Sequence, residues 1–465
     1  MPAGRRIHPP SPCDPERILP HATGPRTLHP SSRLPVLKKA ATLCLLLCAA
    51  SAAACNQKSS PSQATTADTG VVTTASPDTT AAATVTAVVN TPEPVTPRGD
   101  GVTEFKPTSE VAACKVKSTD LASYLQRQGL GLTGRTAGGG IFAAVWLVEL
   151  QNNPDAHIAF AGFDGDARQV ARARSIGSTR QGGLNVFDTS GAWTVTWFDG
   201  EGLAYARPRW EVSPLPEIQH LAAVGKEAGE SVALAAAPEG GLVAAAPFGP
   251  ERDQLGVFRF APTEPGEPSV RAVSVTHHAK QARRPAIAAD AGGYFVGWHE
   301  ENGSMRVSRF DLAGKEGEAQ ELAAEGPRRD RLVLVPTSAG AIALWSEGET
   351  LLARGLDTAA KPASTTWVVG KGKWGAATPI DGGILVSWVG HDGKSDGQVL
   401  LARLGQDGAP SASGLRVTDG VNAVKDPPVV AASGPRVAVA WTEIMSPAVS
   451  TKRAVLRIAD VACVP

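Results

Sequence analysis

Over roughly the last two thirds of the chain, short apolar runs alternate with small, polar turns at a nearly fixed interval. One phrase recurs: a Gly-rich or small turn, then an apolar run that ends in most copies on Trp. The copies end at Trp146, Trp197, Phe248, Trp298, Trp345, Trp388 and Trp441, with spacings of 51, 51, 50, 47, 43 and 53 residues. The runs are only five to eight residues long and are bounded by Gly, Pro, Asp and Asn, which reads as strand rather than helix.

The copy over residues 284–323 is the clearest. PAIAAD (285–290) predicts a strand, AGG (291–293) a tight turn, and YFVGW (294–298) a second strand. EENG (300–303) turns again, MRVSRF (305–310) alternates polar and apolar residues as a half-buried strand does, and a fourth, weaker run follows DLAG (311–314). Four antiparallel strands in about 45 residues are one blade of a β-propeller, and the copies imply seven blades. The predicted fold is therefore all-β, a seven-bladed propeller over residues 103–465. Phe248 stands where the third copy should carry Trp, and the first copy has an uncertain strand count. Residues 104–130 are expected to supply the strand that closes the last blade, with Thr119–Gln128 as a short helix.

The second-strand Trp pairs in the repeat with a third-strand Arg: Trp197/Arg207, Trp298/Arg309, Trp345/Arg354, Trp388/Arg403 and Trp441/Arg457. A large aromatic at one place in every blade predicts packing between neighbouring blades, with Arg available to stack on it. A sugar-stacking role for the whole set is the alternative.

The N-terminal third is different. Residues 1–33 are rich in Pro, Arg, His and Ser without periodicity. Lys38-Lys39 then precede an apolar run from Ala40 to Ala54, the length of a signal-peptide core and short for a membrane span. Ala52-Ala53-Ala54-Cys55 resembles a bacterial lipobox, although Ala52 stands where Leu is usual. The resemblance implies that Cys55 is lipidated, that translation starts nearer Val36, and, from Asn56 at the second mature position, that the protein is sorted to an outer membrane. Ordinary cleavage after an Ala-x-Ala site, which leaves Cys55 a plain thiol, and a true transmembrane anchor are the alternatives. Residues 56–102 are Ser, Thr, Ala and Pro with almost no aromatic content, too poor in apolar surface to offset the entropy of ordering, and read as a tether.

Once Cys13, Cys44 and Cys48 leave with the leader and Cys55 takes lipid, Cys114 and Cys463 remain. They lie at opposite ends of the repeat region, where a ring would meet itself, and an exported pair predicts a disulfide. Two unrelated thiols are the alternative. The Trp-rich repeat behind such a leader resembles the seven- or eight-bladed propellers of bacterial exported lipoproteins, over about residues 110–465.

Charge narrows the partners. The chain carries 45 basic and 45 acidic residues, and a balanced chain without a basic run argues against nucleic acid. Candidate chemistry is sparse. Asp199, Glu300, Glu347 and Glu443 each follow a Trp by two residues and would sit in corresponding turns, either as a cation-binding ring or as solvated turn residues. Asp164-Gly-Asp166 and the segment from Asp392 to Asp396 briefly resemble calcium loops but lack the full ligand pattern. His277-His278 would point to opposite faces of a strand and seldom chelate together. There is no Gly-x-Ser-x-Gly, His-Glu-x-x-His, Walker loop or Cys-x-x-Cys. No catalytic residue, metal or cofactor is predicted. The expected function is a membrane-anchored binding or scaffold module for a protein or glycan. The alternatives are a glycan hydrolase or lyase with acids in the central funnel, and a structural subunit of an envelope complex.

Overall fold

The computed structural model describes residues 102–103, 117–125, 129–135, 137, 139–149, 154–210, 216–221, 232–248, 254–261, 269–275, 282–390, 397–411, 415–418, 424, 426–446, 451–461 and 464. The chain divides into Met1–Val88 and Val89–Pro465, and every described residue belongs to the second unit. Its described elements are all strands: the protein is all-β, and no helix occurs among the described residues.

Two elements come first, β1 (Val102–Thr103) and β2 (Lys117–Leu125). Four four-stranded antiparallel meanders follow. The first is β3 (Leu130–Gly134), β4 (Phe142–Val148), β5 (Ala156–Phe163) and β6 (Gln169–Thr179). The second is β7 (Gly182–Thr189), β8 (Ala192–Asp199), β9 (Gly202–Ala206) and β10 (Gln219–Leu221). The third is β11 (Ala233–Ala236), β12 (Leu242–Phe248), β13 (Gln254–Ala261) and β14 (Ser269–Val275). The fourth is β15 (Arg283–Asp290), β16 (Gly293–His299), β17 (Met305–Asp311) and β18 (Gln320–Ala323).

An eight-stranded sheet comes next. Its main path is β19 (Arg329–Thr337), β20 (Gly340–Glu347), β21 (Thr350–Leu356), β22 (Thr366–Ile380), β23 (Gly383–Gly390), β24 (Gln398–Gly405) and β25 (Leu415–Arg416), and β1 pairs parallel to β22. The repeat predicts separate blades here. The 15-residue β22 instead serves two ladders, pairing with β21 over 367–371 and with β23 over 372–380. No turn interrupts it; Gly372, at φ +137°, redirects the strand between the two.

The last sheet is β26 (Val429–Ser433), β27 (Arg436–Ser446), β28 (Thr451–Asp460) and, on its outer edge, β2. The N-terminal segment thus completes the C-terminal sheet, as the sequence predicts. The helix expected over Thr119–Gln128 is corrected to strand over its described part: β28 presents an edge, and pairing from Lys117↔Ile458 to Leu125↔Lys452 satisfies the backbone of 117–125, with two register shifts.

The apolar phrase of each repeat is a second strand buried on both faces, which is why it reads as a continuous run and not an alternation. On β20, Ala341, Ala343 and Trp345 pack with Phe295 and Val307, while Ile342 and Leu344 pack with Ile384, Val386 and Trp388. The same joining of successive sheets places Trp197 against Val145 and Phe160, Trp298 against Val243 and Val257, and Trp441 against Leu385 and Val399. The first and last sheets also share a core, in which Phe142, Ala144 and Trp146 meet Ala438, Ala440 and Leu456. Trp197 and Trp298 have no exposed area. The Trp set packs between sheets, and burial of each side chain contributes on the order of 3 kcal/mol.

Candidate functional site

The first strands of successive sheets pack in series: β3 on β7, β7 on β11, β11 on β15, β15 on β19, β19 on β22, β22 on β26, and β26 on β3. Together they line one cavity of about 1020 Å³. Its wall is largely aliphatic, with Leu132, Val186, Leu234, Ile287, Leu334, Ala377 and Val430 each contributed by a different first strand.

Polar groups gather where the first strands turn into the second. Arg135, Asp188, Asp381 and Arg403 line the cavity there. Arg403 donates to the backbone carbonyl of Asp381 at 2.8 Å. The Arg135 guanidinium lies 4.7 Å over the Trp193 ring, which stacks on Trp210 at 5.6 Å. A smaller adjoining cavity of about 370 Å³ includes Asp290, Ser338 and Gln406. Asp290 is ion-paired with Arg309, and on the equivalent turn Glu239 is paired with Arg259 at 2.7 Å. Each of these two carboxylates already holds a cation of its own sheet.

The four acids that follow Trp lie at the other ends of the second strands. They form neither a ligand ring nor a set of solvated groups, because each is paired inside its own sheet. Asp199 meets His220 at 2.8 Å, Glu300 meets Arg306 at 2.9 Å and the Ser304 hydroxyl at 2.7 Å, and Glu347 meets Arg329 at 2.9 Å. Glu443, only 2% exposed, accepts from Arg453 and from the Trp441 indole at 3.2 Å. The sequence missed a further buried pair, Asp426 with Lys452 at 3.0 Å; nothing in its local spacing marks it.

Asp164 is a turn residue. Its carboxylate accepts from the backbone N–H groups of Asp166 and Arg168, both at 2.9 Å. Asp311 and Asp357 hold the equivalent turns through the N–H groups of Lys315 and Lys361, each at 2.8 Å. These are Asx turns, which satisfy the same oxygen a calcium ion would need. Among the described residues no group of three His, Cys, Asp or Glu is placed to hold a metal. His277, His278, Asp392 and Asp396 lie outside the described residues, as do Cys55, Cys114 and Cys463.

The expected Arg–Trp stacking is found for Arg457 over Trp441, at 5.3 Å. In the fourth sheet it is not. Arg309 pairs across from Phe295 and covers that ring at 4.1 Å, while Trp298 faces the opposite side of the strand and pairs across from Arg306. An offset of three residues along β16 changes the face.

Sequence reasoning also missed a set at the entries of the first strands, where Arg284, Arg331 and Trp374 have positive φ of 48°, 48° and 63°. The runs RRP, RDRL and KWG were the visible signal. Nearby, His299 is buried on β16. Burial first, then Arg284, lowers its pKa to about 4.

No family model matches the chain, and no curated protein matches it. Solved structures with some likeness include a protein of unknown function from Dyadobacter fermentans, 12% identical, covering 74% of this chain and 99% of that one at a TM-score of 0.42. The polysaccharide lyase Uly1 is 10% identical over 70% of this chain and 90% of its own, at 0.43. A subtype N10 neuraminidase-like protein of A/little yellow-shouldered bat/Guatemala is 11% identical over 76% of this chain and 99% of its own, at 0.37.

Proposed function

We propose that this chain is a seven-bladed β-propeller, held at the cell envelope by lipid on Cys55 and a tether over 56–102, that binds a protein or glycan without catalysis of its own. The seven-bladed reading is supported by the first strands, which pack in series back to β3 and line a common cavity. Counting β22 once in each of its two ladders gives seven groups of four strands. Each group buries its faces only against its neighbours, which favours a closed arrangement.

The observation that carries the binding reading is the commitment of the carboxylates. A hydrolase or lyase needs at least two acid or base groups free to converge on one substrate. Here Asp290, Glu239, Glu300, Glu347 and Glu443 are all occupied by arginines. Of the two carboxylates that line the main cavity, Asp188 and Asp381, the first is held by the Gly191 N–H at 3.1 Å, and the wall between the two ends is largely aliphatic. Rigid paired rims on a fixed disc suit recognition.

The test presents the full-length protein to a glycan array and to purified envelope proteins, with parallel assays for reducing ends and unsaturated uronates. Saturable binding without product is expected. Product release that disappears in Asp188→Asn or Asp381→Asn would overturn the non-catalytic reading.

A further inference from the structure

Three successive first strands share one irregularity. Pairing to the second strand shifts between Arg283 and Ala286 on β15, between Asp330 and Val333 on β19, and between Lys373 and Ala376 on β22. Inside each shift lies the residue of positive φ: Arg284, Arg331 and Trp374. Each stands three positions before a cavity-lining residue of its strand, Ile287, Leu334 or Ala377. The strands pack in series, so the three residues form a row along one rim of the cavity.

β7 has the same shift, between Gly182 and Asn185, and there the left-handed position is Gly183, three before Val186. Glycine is what such a backbone favours; a side chain there is strained. At Gly183 an added Cβ would come within 2.5 Å of the Phe198 ring. At the other three shifts the strand-two residue at that register is His299, Ser346 or Val389, and the chain carries Arg, Arg and Trp despite the strain. Strain kept in three adjacent repeats points toward use.

The surroundings indicate what the row would take. Arg284 bridges to Asp330 at 2.7 Å, and Arg328 lies 3.4 Å from the same carboxylate, so one acid is shared by two arginines. Arg283 is paired with Glu301 at 3.4 Å. No hydrogen bond or ion pair among the described residues holds Arg331, which is half-buried, and burial lowers its pKa. The Lys373 ammonium sits 4.6 Å over the Trp374 ring, and Lys371 is exposed beside it. A half-buried guanidinium with no ion pair among the described residues favours an anion, which it can grip through two parallel hydrogen bonds. The Trp374 indole is partly buried against the core that holds Val430 and Trp441, and it holds the Lys373 ammonium at this rim.

We propose that Arg284, Arg331 and the Lys373–Trp374 pair form a binding site for an acidic glycan, with the cationic groups taking its carboxylates or sulfates. This rests on the binding-module reading above and names its ligand class.

The test uses full-length protein and calorimetric titration with oligogalacturonate, a neutral maltooligosaccharide of equal length and a single-stranded DNA oligonucleotide. Oligogalacturonate should bind saturably and weaken with added salt. Arg284→Gly/Arg331→Gly should unfold at or above the wild-type midpoint, because glycine relieves both backbones. It should bind about 100-fold more weakly, about tenfold for each lost ionic contact. Trp374→Ala, which removes the ring under the Lys373 ammonium, should weaken binding by about tenfold by the same scale. Absent oligogalacturonate binding, unchanged affinity in the double glycine variant, or equal affinity for the neutral sugar or the DNA would overturn the proposal. Any of those outcomes alongside another saturable ligand leaves the binding-module reading intact. Turnover abolished by Asp188→Asn defeats that reading while leaving the acidic-glycan site to be judged by its own titration.

Discussion

Trp388 on β23 donates its indole N–H to the backbone carbonyl of Lys371 on β22, at 3.1 Å. Glycines make room for it: a Cβ at Gly370 would come within 2.8 Å of the ring, and one at Gly390 within 2.7 Å of the indole nitrogen. Gly177 leaves similar space for Trp197 in the second sheet, at 3.0 Å. Trp298 occupies the same place on its own second strand and is fully buried, but among the described residues its indole nitrogen has no partner.

The two positions should therefore respond differently to the same change. Both lose ring area as Phe, but Trp388→Phe also loses a hydrogen bond, whereas Trp298→Phe removes a buried donor that has no partner among the described residues. Trp388→Phe should cost about 1–2 kcal/mol more than Trp298→Phe in urea unfolding. Either residue as Ala should cost about 3–5 kcal/mol. Equal costs for the two Phe variants would remove the distinction.

His299 sets an acid limit. Its folded pKa is about 4, below the ordinary 6.5, because burial, Arg284 and Arg329 disfavour the charged ring more than Asp330 favours it. Above pH 6.5 the ring is neutral in both states and has no effect on the balance. As pH falls from 6.5 toward 4, the unfolded chain takes up a proton that the folded chain refuses, so stability falls. The loss should approach about 3 kcal/mol near pH 4. His299→Gln should flatten that part of the stability profile; an unchanged slope would show that other groups set it.

The second strands were legible because burial on both faces leaves an unbroken apolar run, and AIALW before Glu347 can hardly be read otherwise. The continuity of β22 was not, since Gly370-Lys371-Gly372 has the composition of a break. β2 is a strand because β28, at the far end of the chain, offers it an edge, a contact that local pattern cannot carry. The acids after Trp were visible by spacing, but their arginines come from other strands: Arg329 precedes Glu347, and Arg453 follows Glu443. At the proposed site the residue types were visible as basic runs. The positive φ that aligns Arg284, Arg331 and Trp374 was not, since Arg and Trp have no preference for it.

The hairpins after the third strands predict a graded series. Asp357 accepts two backbone N–H groups, from Ala359 at 2.9 Å and Lys361 at 2.8 Å. For Asp311 the equivalent bond comes from Lys315. Asp357→Ala should destabilise by about 1–2 kcal/mol and Asp311→Ala by about 1 kcal/mol. Gly314, at φ +88°, should lose about 1 kcal/mol as Ala. Chemical denaturation of the three variants reads the order; a larger loss at Asp311 than at Asp357 would contradict it.

A disulfide between Cys114 and Cys463 is the next expectation. Val464, next to Cys463, packs in the core beside the last sheet, and β2, which begins at Lys117 after Cys114, forms that sheet's edge. Non-reducing peptide mapping should find the two cysteines linked. Loss of the bond in Cys114→Ala should cost about 2–5 kcal/mol. Free thiols at both positions would refute the pairing.

The anchor is tested at Cys55. Two lysines, a short apolar run and three alanines precede it, and a Ser, Thr, Ala and Pro tether follows. Such a run is short for a stable span, so membrane retention should depend on the acyl chains rather than on the leader. In a two-membrane bacterium the full-length protein should fractionate with the outer membrane and incorporate a labelled fatty acid. Cys55→Ala should lose the label and leave the mature outer-membrane fraction. A Cys55→Ala protein that is still cleaved and membrane-bound like the wild type would defeat the lipid anchor, and would place the binding domain at the envelope by some contact of its own.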